Sequence, residues 1–314
     1  MKKNIRLIVL CAMLLVLCGA WFVGAQNKTA FFSHRQAGGG IVIQNETYTT
    51  GNIWFVDSGS GAAADQAGCG QSPSWPCATI DYAYSLATAN NGDEVWVMPG
   101  HAENISTASG IDLDTAGIRV IGLGIGRTRP VLTWTAAAGY IEVNAANISM
   151  ENMVLDLSTA GIATTGVSLF TNATDFLFKD MEVILFEEAS GSATAALNLW
   201  SGGTRTQIDG CNFHGFSSTS SGVSSVIAIP ANALDGIYIV DTLINAYTSS
   251  PLINGNASAV SRFYIARSDL HQQKNTAQNM DMTSSDGIMK DVTTSFATTG
   301  VTLTTSALSK ANIF

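Results

Sequence analysis

The chain has 314 residues, enough for one large domain or two small ones. Only 12% of them are charged while Gly alone contributes 30, a composition that suits short strands and tight turns and is poor in the residues of helical bundles. Against 24 acidic residues stand 15 basic ones, for a net charge of −9. No basic cluster follows Lys28, and because phosphate neutralisation needs Lys and Arg this argues against a nucleic-acid partner.

The chain opens with Lys2, Lys3 and Arg6, then an apolar run over residues 7–23, then small residues at Val23, Gly24 and Ala25. Residues 1–25 are expected to be a secretory signal peptide, with an uncleaved anchor as the alternative because the apolar run just reaches the length of a span. The protein is therefore expected to be exported: secreted, periplasmic or surface-associated. Residues 26–51, with the run Gly38-Gly39-Gly40, carry no sustained periodicity and read as a flexible leader. Residues 52–314 are expected to form a single domain.

Ile53-Trp-Phe-Val56 is the first credible strand, followed by a loop of small residues. Cys69 and Cys77 bracket a Gly/Pro/Ser segment, and in an exported chain this spacing predicts a local disulfide. Residues 81–87 are the one convincing amphipathic helix, with Ile80, Ala83, Tyr84 and Ala87 at helical spacing. Asn90-Asn-Gly-Asp93 ends it, and Glu94-Val-Trp-Val-Met98 is a strand stopped by Pro99-Gly100. His101, after that turn, reads as a loop residue. Asp112 and Asp114 share one strand face, too few carboxylates to assign a calcium site.

From residue 150 onward six segments superpose without a gap: Met150-Glu-Asn-Met-Val-Leu-Asp156, Phe178-Lys-Asp-Met-Glu-Val-Ile184, Ile208-Asp-Gly-Cys-Asn-Phe-His214, Ile239-Val-Asp-Thr-Leu-Ile-Asn245, Ile265-Ala-Arg-Ser-Asp-Leu-His271 and Met289-Lys-Asp-Val-Thr-Thr-Ser295. Their starts at 150, 178, 208, 239, 265 and 289 differ by 28, 30, 31, 26 and 24. A degenerate period of this size, strand-like throughout and broken by a turn residue at a fixed place, predicts a β-solenoid. Such a stack needs covers at both ends. The helix near residue 80 is the expected N-terminal cap, and Val301-Thr-Leu-Thr304 with Ile313-Phe314 the candidate for the other end. Cys211 falls at an inward position and should be a buried small hydrophobe.

Trp54-Phe-Val-Asp57, Pro76-Cys-Ala-Thr-Ile80 and Gly92-Asp-Glu-Val-Trp-Val-Met-Pro-Gly100 together resemble the opening module of right-handed parallel β-helix proteins of the pectin-lyase-like superfamily. The further strings Pro99-Gly-His-Ala-Glu-Asn-Ile105, Ile111-Asp-Leu-Asp114 and Ile118-Arg-Val-Ile-Gly-Leu-Gly124 are similar to a group of β-helix proteins common in bacteriophage and environmental sequences. The resemblance implies an all-β, single-stranded right-handed parallel β-helix with three short strands per coil. Met150, Phe178, Ile208, Ile239, Ile265 and Met289 would then stack inside, as would Leu155, Val183, Phe213, Ile244 and Leu270. The column Asn152, Asp180, Gly210, Asp241, Asp291 would take a bend in left-handed conformation, with Arg267 marking a locally different turn.

The superfamily mixes lyases, hydrolases, tailspikes and inert members, so the fold does not choose an activity. The catalytic strings of pectate lyases and polygalacturonases are missing here, and no catalytic residue, cofactor or metal is assigned. One outward face is the candidate site, through Glu182, Asn212, His214, Asn245, Asp269 and His271. His214 and His271 would lie two coils apart, about 10 Å at a repeat of about 4.8 Å, a separation at which imidazole and carboxylate groups can flank a sugar. The expected function is an exported, non-catalytic module that is structural, polysaccharide-binding, or both, at a cell or particle surface. The competing readings are a phage virion protein (head fibre, decoration or tailspike-like) and a polysaccharide lyase or glycoside hydrolase. Expected partners are polysaccharide and virion or cell-surface components; the oligomeric state stays open, a homotrimer among the options.

Overall fold

The computed structural model describes residues 49, 51–158, 165–185, 195–200, 202–215, 223–230, 234–255, 260–273, 279–282 and 285–296. The segment expected to be a signal peptide, nearly all of the expected leader and the candidate C-terminal cover lie outside these residues. Within them the chain is an all-β parallel solenoid whose coils build three columns of strands.

The first column runs through Ile53–Val56, Glu94–Val97, Arg119–Gly122, Ser149–Glu151, Leu177–Lys179, Thr206–Asp209 and Leu234–Val240. The second runs through Ala102–Ile105, Val131–Trp134, Val154–Asp156, Glu182–Ile184, Asn212–His214 and Leu243–Ala246. Two long strands, Val260–Gln272 and Gly287–Phe296, pass through both and join them into one 15-stranded sheet. The third column is a 7-stranded sheet of Ile111–Leu113, Ile141–Val143, Val167–Leu169, Ala195–Asn198, Ser225–Ala228, Ile253–Asn254 and Met280–Asp281. Every pairing within the columns is parallel, with crossover connections of the kind for which a right-handed path is the rule.

The inward stacks match the aligned repeats. Met150, Phe178, Ile208, Ile239, Ile265 and Met289 pair in register in the first column, and all are buried. Leu155, Val183, Phe213, Ile244 and Leu270 do the same in the second. The Phe178 and Phe213 rings stack across the interior at 6.2 Å. Cys211 is buried and unbonded; burial pushes its thiol up to about 12, so it carries no thiolate at neutral pH.

The bend between the first two columns is left-handed on successive coils, with φ of 55° at Asn152, 53° at Asp180, 64° at Gly210, 49° at Asp241 and 53° at Asp291. Arg267 corrects the sequence reading. It adopts the same conformation, at φ 47°, and its guanidinium binds Asp241 on the preceding coil at 2.7 and 2.6 Å. A second left-handed column precedes the first column of strands, through Gly117, Asn147, Asp175, Arg205, Gly236 and Arg262. Arg205 there pairs with Asp175 in the same way.

The helix spans Ile80–Ser85, starting one residue earlier and ending two residues earlier than expected. Thr79 caps it by accepting the Tyr82 N–H, and its last turn tightens into the 3.2 Å bond from Leu86 N to Ala83 O. It packs against Ile53–Val56, Glu94–Val97 and Ile111–Leu113, burying Ile80, Ala83 and Tyr84. Cys69 and Cys77 are bonded to each other, and the Cys77 backbone bridges to the first strand. Asp65, near both sulfurs, accepts from Ala78 N, Thr79 N and the Thr79 hydroxyl, so this grouping is a structural knot.

His101 lies in the connection before Ala102–Ile105, as expected, but it is not a solvated loop side chain. It is fully buried: Nδ1 accepts the Ser58 N–H at 3.0 Å, and Nε2 lies 3.1 Å from Glu103 Oε2. Glu103 in turn accepts the Ile80 N–H. The ring therefore ties the loop after the first strand, the second column and the helix start into one unit. Asp93 is a similar hub. Burial alone would raise its carboxyl, but N–H groups of Asn52 and Thr88 and the side chains of Asn91 and Asn52 more than offset this, and it titrates below the usual range.

Candidate functional site

The second column turns two rows of side chains outward. One is Val154, Glu182, Asn212, Leu243, Asp269 and Thr293; the other is Asp156, Ile184, His214, Asn245 and His271. The six residues singled out from the sequence thus share one face, in the register expected of them. Thr293 extends the face by one coil and is exposed. Val154 is the exception to outward exposure. It is only 8% exposed, because Arg129 reaches from the coil below it to Glu182 on the coil above.

Arg129 and Gln273 are the site residues that sequence reasoning missed. Arg129 donates to Glu182 Oε2 and, at 3.2 Å, to the Asp180 carbonyl. His214 Nε2 lies 3.0 Å from the other Glu182 oxygen. Gln273 donates to Asn245 Oδ1 at 2.9 Å and to the Gly215 carbonyl at 3.3 Å. Neither residue falls inside an aligned repeat; each reaches the face from a connection, where the period gives no warning. Their signal was present only as a long polar side chain flanking a strand.

The arrangement restricts the chemistry. Both Glu182 oxygens are committed, one to a guanidinium and one to an imidazole, so this carboxylate belongs to a fixed polar network. Asp269 is exposed and has no side-chain partner among the described residues. It stands three coils from Glu182, about 14 Å at the coil repeat, whereas paired carboxylates of glycosidases stand roughly 5–9.5 Å apart. Glu182 and Asp269 are therefore too far apart to act as an acid and base pair across one glycosidic bond. Asn212 Oδ1 is buried without a donor. Leu243, 36% exposed, sits between Asn212 and Asp269 as an apolar step.

On the third column, Asp112 and Glu142 are adjacent in the outward row. Burial, then the charges of Asp114, Glu142 and Asp81, push the Asp112 carboxyl up to about 6, and its Oδ1 has no partner. No helix among the described residues is long and apolar enough to cross a membrane. Comparison of the chain with protein-family models, with curated proteins and with solved structures finds no match.

Proposed function

We propose that this chain is an exported β-solenoid module that presents the outer face of its second column to polysaccharide without breaking it down, with its short helix closing the N-terminal end of the stack. What carries the reading is the ladder itself: Glu182, Asn212, Asp269 and Thr293 in one row, interrupted by Leu243 between Asn212 and Asp269, and His214, Asn245 and His271 on successive coils in the next. A linear array of donors and acceptors repeating every ~4.8 Å suits an extended chain of hydroxylated rings. The in-register pairing holds it rigid before binding, which lowers the ordering cost. The resemblance to the pectin-lyase-like group points the same way and adds the expectation of a cell or particle surface as the setting.

A glycan array probed with purified protein tests this. Each hydrogen bond lost costs ~0.5–1.5 kcal/mol, so changing Asn212, His214, Asp269 and His271 together to Ala should weaken binding at least about tenfold. Binding that survives the fourfold change would remove the second column from the account.

A further inference from the structure

The two ends of the large sheet differ. Ile53–Val56 is hydrogen-bonded along its outer edge to Gly70 and Cys77 and packed on by the helix. Gly287–Phe296 pairs only with Val260–Gln272, and among the described residues no strand lies on its far side. It is ten residues long and free of proline, and an open strand edge of this kind is a template for another strand.

The bonds already made show which backbone groups point along the axis. Phe263 N donates to Asp286 O, so Phe263 and Ile265 are directed at the last strand, and their register partners Gly287 and Met289 turn their N–H and C=O groups away from it. Asp269 N donates to Thr242 O on the preceding coil. Its neighbours Ser268 and Leu270 are therefore directed at the last strand, and Val292 and Thr294 turn theirs away. Met289 and Val292 also face the core, whereas Ile288 and Thr293 are exposed. The left-handed Asp291 between the two arms shifts the inward parity by one residue.

That shift makes the strand self-complementary about its corner. With a two-fold axis between Lys290 and Asp291, Met289 meets the partner's Val292 and Gly287 the partner's Thr294, inward with inward and both in hydrogen-bonding phase. Ile288 meets the partner's Thr293, outward with outward. A slip of one residue sets inward against outward and opposes Asp291 to Asp291 or Lys290 to Lys290. In the matched register each Lys290 lies opposite an Asp291. Both are exposed, and neither has an ion-pair partner among the described residues. Asp175, Asp235 and Asp241 each receive an Arg from the following coil; the partner's Lys290 would supply the equivalent charge to Asp291.

We infer that the last strand is an interface between two copies of this chain, joined end to end by antiparallel pairing of Gly287–Phe296 about the Lys290–Asp291 corner. This does not depend on the glycan reading.

Sedimentation of the full chain over a range of concentrations tests it. The expected result is a monomer–dimer equilibrium, weakened at least about tenfold by Lys290→Glu and separately by Asp291→Arg, because each sets like charges opposite one another twice. Arg already holds this bend at Arg267, and circular dichroism checks that both variants are folded. Mixing the two variants should restore dimers, since each then supplies the charge the other lacks. A monomer at every concentration overturns the inference and leaves residues 297–314 as the candidate cover of this edge. A trimer overturns it, as does a dimer indifferent to both changes, or a mixture of folded variants that associates no better than either alone.

Discussion

At the scale of single residues, the bends determine which substitutions the chain tolerates. Gly210 sits at φ 64°, and a Cβ built there would approach Asp180 Oδ1 to 2.6 Å. A left-handed backbone costs a β-branched residue roughly 1–2 kcal/mol, so Gly210→Val should destabilise the fold by at least about that much. Gly210→Asn should cost clearly less, because Asn already holds this conformation two coils away at Asn152. Denaturant unfolding of the two variants decides it; equal losses would show that strain at the bend is not the cause. Asp112 makes a prediction about pH. Its carboxyl is raised from the usual 3.8 to about 6, so between those values the folded chain holds more protons than the unfolded one. Its contribution is therefore most favourable below the usual value and is lost as pH rises through about 6. Asp112→Asn should raise the melting temperature near about pH 7.5 and leave it nearly unchanged near about pH 3. The opposite order would refute the environment assigned to Asp112. Asp93 works in the other sense, its depressed carboxyl losing stability only as pH falls below the usual range.

At the scale of elements, the strands were legible and their connections were not. A strand whose inner face is closed shows its period in every coil, which is why the interior columns through Phe178 and Phe213 can be read from spacing alone. Asn, Asp and Gly at one fixed offset similarly gave away the first left-handed bend. The second bend, through Asn147, Asp175 and Arg205, was hidden because the connections leading into it vary in length. Arg267 misled for a physical reason: an Arg in left-handed conformation runs against propensity, and its Asp241 partner becomes visible only when the coils are stacked. The burial of His101 was likewise not legible, since a residue after a Pro-Gly turn gives no sign that three elements close around its ring. Phe213→Ala should cost about 3–5 kcal/mol, the range for truncating a buried aromatic, measured by denaturant unfolding. A cost below about 1 kcal/mol would contradict its place in the interior. Cys211 should resist alkylation in the native protein and react on unfolding, because its thiol is both inaccessible and held protonated. Rapid native labelling would contradict that.

At the scale of the whole molecule, stacking turns a weak repeat into a surface. No single coil carries a recognisable site; Glu182, Asn212, His214, Asn245, Asp269 and His271 become neighbours only because each coil repeats the same parity. That much of the face could be read from the sequence, whereas the Arg129 clamp on Glu182 could not, since it depends on a side chain crossing a coil. The same clamp, with the wide separation of Glu182 from Asp269, supports binding over turnover as the work of this face. The most direct measurement is chain shortening: purified protein incubated with pectin, alginate and neutral glucans, followed by product sizing and reducing-end release. The account predicts binding to at least one glycan with no depolymerisation above background. Measurable turnover abolished by Asp269→Asn or Glu182→Gln, with the circular dichroism of the fold unchanged, would contradict it.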